Sequence, residues 1–144
     1  MAELGSFDLE TVLREQLKDK LAPGVCMHLA DERYWLTPLH DVVDLLNRER
    51  IDQREFRDEV RDCDDFALIL HARMVESQQI NTKRKLPHAF GQVWGMAGGQ
   101  FGHAINIMVN SDGAVRFIEP QFAPDESVMT VAECDLTAIW MIRI

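Results

Sequence analysis

Cys63, His103 and Glu119 are the three residues of this sequence whose types and order suit a single chemistry. A sulfur nucleophile needs its thiolate stabilised, which the N-terminus of a helix does. It also needs an imidazole within reach to take the thiol proton, and a third group on the far ring nitrogen to hold the working tautomer. Such a set attacks a carbonyl: a peptide bond, a glutamine side chain or a cell-wall amide. His103 would return the proton to the leaving amine, and water or a second amine would resolve the acyl intermediate. The three residues therefore point to a cysteine-dependent amide hydrolase or acyl transferase, without separating the two. Gln121 and the backbone N–H of Cys63 are candidate donors to an oxyanion, with Gln92 and Gln100 behind them. Trp94 is a candidate wall of the substrate cleft.

Asp58, Glu59, Asp62, Asp64 and Asp65 crowd Cys63 in the chain. Negative charge beside a thiol disfavours its thiolate, so the helix end and a protonated His103 must outweigh them. Carboxylate oxygens are also what Ca²⁺ and Mg²⁺ prefer, but the spacing is not that of an EF-hand loop. No metal ligand is assigned and no cofactor is expected, with Ca²⁺ the cation to test. His28, His40, His71 and His88 have no partner pattern that suggests chemistry.

Positioning the three residues requires a helix that begins near residue 63 and two adjacent strands. The segment from Cys63 to about Gln79 supplies the helix. Asp62, Asp64 and Asp65 complement the positive end of its dipole, and Phe66, Ile69, Leu70 and Met74 make its apolar stripe. Alternation predicts strands over 90–96, 102–109 and 114–119, with a hairpin turn at Asn110-Ser111-Asp112-Gly113. In register about that turn, 102–106 lie opposite 117–121. A strand-paired His103 and Glu119 can then share a face, with Cβ atoms roughly 5 Å apart, an arrangement the spacing permits but does not require, while Asn106 points to the other face.

Before this region the pattern is helical. Helices are expected over 7–21 and from Thr37-Pro38 to about Arg50. Residues 25–34 read as an extended connector. Asp52 to Val60 reads as a short exposed helix anchored by Phe56, and 137–144 as a last strand. The expected architecture is an α+β domain over residues 1–144, with N-terminal helices and a central core helix packed on a C-terminal antiparallel sheet.

Apolar residues are 47% and charged residues 27%, the balance of a globular chain. The net charge of -9 does not favour nucleic acid or anionic membrane, so neither is expected as a partner. No run of apolar residues is long enough to span a bilayer, and the first residues lack the basic and apolar regions of a secretory signal. A cytoplasmic location is expected, in a host if the chain is phage-encoded. Three cysteines with no CxxC argue against a disulfide scaffold or a zinc ribbon.

Three blocks together resemble a papain-like, transglutaminase-like group of cysteine peptidases: Arg61-Asp62-Cys63-Asp64-Asp65-Phe66-Ala67, Gly102-His103-Ala104-Ile105-Asn106 and Phe117-Ile118-Glu119-Pro120-Gln121. The group includes the C-terminal domain of fungal Marasmius-type agglutinins and small phage and bacterial proteins, and the resemblance spans roughly residues 35–121. It implies a papain-like fold with Cys63 as nucleophile, His103 as base and Glu119 as orienting carboxylate. The agglutinin domain is similar to a calcium-dependent protease, which implies a metal at the Asp-rich helix start. Sugar-binding trefoil repeats are missing, and the chain is short for a peptidase of large substrates. The partner on this reading is a protein or peptide amide substrate. The alternative is a catalytically silent binding module, of the phage type, that engages a host protein through its acidic surface. An open cleft joining Cys63 to His103 favours the first; a buried Cys63 or an averted His103 favours the second. The oligomeric state is not legible.

Overall fold

The alternating apolar residues of 90–118 form the middle of a six-stranded sheet in the computed structural model, which describes residues 2–144. In chain order the elements are β1 (Glu3–Gly5), α1 (Ser6–Gln16), β2 (Leu21–His28), β3 (Arg33–Trp35), α2 (Leu39–Glu49), α3 (Cys63–Glu76) and α4 (Gln78–Asn81). Then follow β4 (Phe90–Ala97), β5 (Phe101–Val109), β6 (Val115–Ile118), α5 (Pro124–Ser127), β7 (Val128–Thr130) and β8 (Leu136–Arg143). The sheet order is β2-β8-β4-β5-β6-β7, and β1 pairs with β3 in a separate ribbon.

Successive residues of a strand face opposite sides, and here the two sides bury different cores. Val93, Ile105, Ile107 and Phe117 pack with Leu9, Leu13 and Leu17, from and just beyond α1. Phe90, Met108 and Ile118 pack with Val42 and Leu45 of α2 and Phe66, Leu70 and Met74 of α3. The expected α+β arrangement is observed, with α3 lying against β4 and β5. The sheet departs from the purely antiparallel one expected. Residues 21–28, taken in part as a connector, run parallel to β8 as an edge strand. Its half-exposed pattern carries no continuous apolar face from which a strand could be read.

The helix expected over Asp52–Val60 is not formed. A single 3-10 turn spans Ile51–Gln53, and Arg57 and Arg61 then bridge across a tight turn. Ile51 is the buried anchor, while Phe56 is 51% exposed and only stacks beside Phe66. A charged segment with one aromatic has no apolar stripe to hold a helix against a core. The first helix also stops short, at Gln16, and the chain turns at 17–20 into β2.

His88, without an evident partner in the sequence, is buried where three elements meet. Its Nε2 lies 3.2 Å from the Met74 carbonyl and its Nδ1 2.7 Å from Thr37 Oγ1. A carbonyl only accepts, so Nε2 carries the hydrogen and Nδ1 accepts from the Thr37 hydroxyl. Burial, with the Arg84 charge adding to it, pushes the His88 ring down to about 4. The unfolded chain takes up this proton near the ordinary value of 6.5, before the folded chain does. Stability is therefore present in full above that value and lost as pH falls towards 4. Urea unfolding is expected to weaken over that window by up to roughly 3 kcal/mol. His88→Gln should remove most of this slope; an unchanged slope would show that the ring is already charged in the folded chain.

Candidate functional site

The start of α3 is set by its own first turn. Asp62 is the N-cap, and its side chain accepts from the Asp65 backbone N–H while an Asp65 carboxylate oxygen accepts from the Asp62 N–H at 3.2 Å. This capping box fixes Cys63 as the first residue of the helix, half-buried, with the positive helix end at its back. Asp62, Asp64 and Asp65 bring one oxygen each within 4.8 Å of one another. The hydrogen bond with Asp64 leads the causes that push Asp62 up to about 6, so this trio holds a proton readily. It is the one group among the described residues that could gather round a cation, and Ca²⁺ fits its all-oxygen donor set.

His103 and Glu119 meet at the rim of the sheet. The regular β5–β6 ladder covers Asn106↔Ile118 to Val109↔Val115, so His103 lies beyond its end. At Glu119 the chain leaves the ladder: its N–H donates to the Ser127 carbonyl at 2.9 Å, and Ser127 Oγ donates back to the Glu119 carbonyl at 2.7 Å. The Gln121 N–H donates to Glu119 Oε1 at 3.0 Å. Held in this way, Glu119 presents Oε2 to His103 Nε2 at 2.6 Å. The pair is poorly exposed, at 19% for the His103 side chain and 6% for Glu119.

The remaining nitrogen, Nδ1, is the one left for sulfur. Cys63 comes close enough to be the leading cause, ahead of Glu119, that raises His103 to about 10, against the opposing effect of burial. The ring is therefore an imidazolium at neutral pH, facing the thiol on one side and a carboxylate on the other. The structure thus brings together all three residues picked from the sequence.

Other candidates fall elsewhere. Gln121 serves Glu119 through its backbone N–H, and its residue lines a cavity beside the pair. Trp94 stands half-buried on β4 opposite Ala104, on the face away from that cavity. Gln92 is buried beside the His71 ring, which burial pushes below its ordinary value. The positioning residue missed in the sequence is Asn106. It is fully buried, and its Nδ2 donates to the Ala67 carbonyl at 2.8 Å and the Gly91 carbonyl at 3.0 Å. These bonds tie α3 to β4 and β5, and so fix Cys63 relative to His103. An amide inside an otherwise apolar strand was the available signal.

Residues 34–123 match the model of the agglutinin C-terminal family. The chain belongs to this family. No curated protein matches the sequence. Among solved structures, PSL1a in complex with E64 is similar with a TM-score of 0.81 and 18% identity, over 99% of this chain and 50% of that one. A Polyporus squamosus lectin, bound to the human-type influenza-binding epitope Neu5Aca2-6Galb1-4GlcNAc, is similar with a TM-score of 0.72 and 18% identity, over 98% of this chain and 50% of the other. This agglutinin C-terminal domain thus spans about half the length of the solved proteins it matches, and at that identity the likeness carries the fold alone.

The agglutinin part of the resemblance read from the three blocks is right. The expectation of a cysteine peptidase, hydrolase or acyl transferase is corrected. The family that residues 34–123 match is that of agglutinins, and this finding overturns it. The reason is physical: residue types and spacing specify which groups can meet, and do not specify whether binding or reaction follows.

Proposed function

We propose that the agglutinin C-terminal domain is a binding module, that its ligand site is the rim formed by Cys63, His103 and Glu119, and that it engages a partner protein there. The observation that carries this is the His103–Glu119 pair. Holding a charged pair out of water is costly, and a hydrophobic replacement commonly serves stability as well or better. Here the second carboxylate oxygen of Glu119 is held as well, by the Gln121 N–H. Placing an imidazolium beside a helix-start thiol is the kind of local arrangement that marks a functional site. The net charge of -9 favours a basic partner. The layout of a helix start set against a sheet rim also supports the papain-like fold read from the sequence.

E64, with which the structural neighbour PSL1a forms a complex, is the first ligand to try. Thermal unfolding with and without it, on the wild type, Cys63→Ala and His103→Ala, checks the site. A ligand present at a hundredfold over its dissociation constant stabilises the folded chain by about 2.7 kcal/mol, which is roughly 10 °C for a chain of this size. The shift is expected in the wild type and not in Cys63→Ala. An equal shift in all three proteins would move the ligand site away from this rim.

A further inference from the structure

On the Glu119 side of the ion pair, next to the ligand rim, a cavity of about 320 Å³ opens between the sheet and the segment that follows β7. Its floor is apolar. Ala97 of β4, Ile105 of β5 and Leu136 of β8 reach it from three adjacent strands, and Met129 of β7 closes it. His103 and Glu119 form part of its wall. Cys63 does not, so the cavity extends the site beyond the imidazole. Phe101 and Phe122 line it as well, and both are left largely in solvent, 60% and 49% exposed. Phe101 meets the His103 ring edge-on, with centroids 6.1 Å apart.

The polar groups of the lining, Glu119, Gln121 and Asp135, sit with His103 on the wall, so the floor itself has no partner for a hydroxyl buried on it. The floor suits an aliphatic or aromatic side chain, which gains from leaving water and meets the aromatics at its edge. The wall also carries a charge. Asp135 is exposed, lines the cavity, and makes no ion pair among the described residues. Glu119, by contrast, is already matched by His103. The Lys20 ammonium donates to the Cys134 and Leu136 carbonyls on either side of Asp135 but is outside the lining, so the unpaired charge on the cavity wall itself is negative.

We propose that this cavity is the specificity pocket of the binding site, and that it receives an apolar side chain of a partner polypeptide that carries a lysine or arginine beside it, the apolar group entering over Ile105, Met129 and Leu136 and the cation facing Asp135. The proposal rests on the reading of the Cys63–His103–Glu119 rim as the ligand site and adds the chemical class of what binds next to it.

Methyl NMR of methionine-labelled protein tests it, because Met129 lines the cavity and Met129→Leu assigns its signal. The probe is the blocked tetrapeptide acetyl-Ala-Leu-Lys-Ala-amide. Its titration is expected to move the Met129 methyl. Exchanging the probe's leucine for asparagine should weaken the apparent affinity by about tenfold or more, as the loss of one buried apolar side chain does. Exchanging its lysine for glutamate should weaken it further at low salt. Ala97→Leu, which fills the floor, should abolish the shift, while its unchanged response to E64 shows that fold and rim are intact. Equal binding of the leucine and asparagine probes, or a shift untouched by Ala97→Leu, overturns the pocket. A wild type that answers E64 and not the peptide loses the pocket alone, whereas one that answers neither loses the rim as well. A Met129 shift with N-acetylglucosamine in place of the peptide also overturns it.

Discussion

Replacing His103 by alanine is expected to slow alkylation of Cys63 by iodoacetamide at pH 6 severalfold. An ordinary free thiol is only about one part in three hundred thiolate at that pH. The imidazolium beside the sulfur and the N-terminal end of α3 behind it both favour attack by the sulfur on a neutral alkylating reagent. Because His103 is raised to about 10, that charge is present across the neutral range. Asp62, Asp64 and Asp65 oppose it, yet the leading influence on Asp62 is a shared proton with Asp64, which trims the negative charge of the cluster at pH 6. Exposed Cys26 serves as the reference thiol, and buried Cys134, which burial pushes up, should label only on unfolding. Glu119→Gln should give an intermediate rate, since the carboxylate is the second of the two groups that hold the ring charged. Labelling of Cys63 at the same rate with and without His103 would dismantle the charged pair.

The same pair predicts a slope of stability with pH opposite in sense to that of His88. His103 binds its proton more tightly in the folded chain than the ordinary 6.5. Its contribution is therefore complete below that value and is lost as pH rises through about 10. Urea unfolding from pH 7 to 11 should weaken in the wild type, and His103→Ala should flatten the His103 part of that decline.

Gly91→Ala is expected to destabilise the chain by at least about 3 kcal/mol, lowering the melting temperature by roughly 10 °C or leaving the protein insoluble. A Cβ at this position would stand 1.8 Å from the Arg143 carbonyl oxygen, 2.8 Å from its carbon and 2.9 Å from the Ile144 Cα. All three are backbone atoms of β8 or its end, so no side chain can swing aside. Relief requires β4 and β8 to part where Gln92 pairs with Arg143. The Gly91 carbonyl also receives Asn106 Nδ2, so the shift would reach the bond that holds α3 over the sheet. Gly113→Ala is the matched comparison: its φ of +78 is strained for alanine, but nothing lies within 4 Å of the new methyl. That change should cost about 1–2 kcal/mol, from left-handed backbone alone. Equal melting temperatures for the two variants would show that β8 yields at no cost.

Much of this molecule was legible because local periodicity and burial agree. The apolar stripes of α2 and α3, the alternation of β4 to β6 and the turn at 110–113 each repeat at the period of the element they form. The short pieces were not legible. β1, β3 and β7 are three residues each, too short for any period to show. β2 is an edge strand that is half exposed, so its pattern resembles that of a connector. Phe56 was taken as an anchor because it was the one large apolar residue of its segment, whereas the core had already found Ile51.

For the site, the sequence by itself determined the identities and the order: a cysteine behind an aspartate cap, a histidine early in a strand, and a glutamate where the returning strand ends. Those are local properties, carried by the capping box and the hairpin turn. Only the tertiary structure decided that the three converge. Glu119 is turned to His103 by its bond from the Gln121 N–H, which no strand register contains, and Cys63 is placed by Asn106 gripping Ala67. The cavity beside them is likewise walled by residues as far apart in the chain as Ala97 and Leu136. Periodicity reports which face a residue takes on its own element; which elements then share a rim is set by packing between segments distant in the sequence, and a single sequence carries no local trace of it.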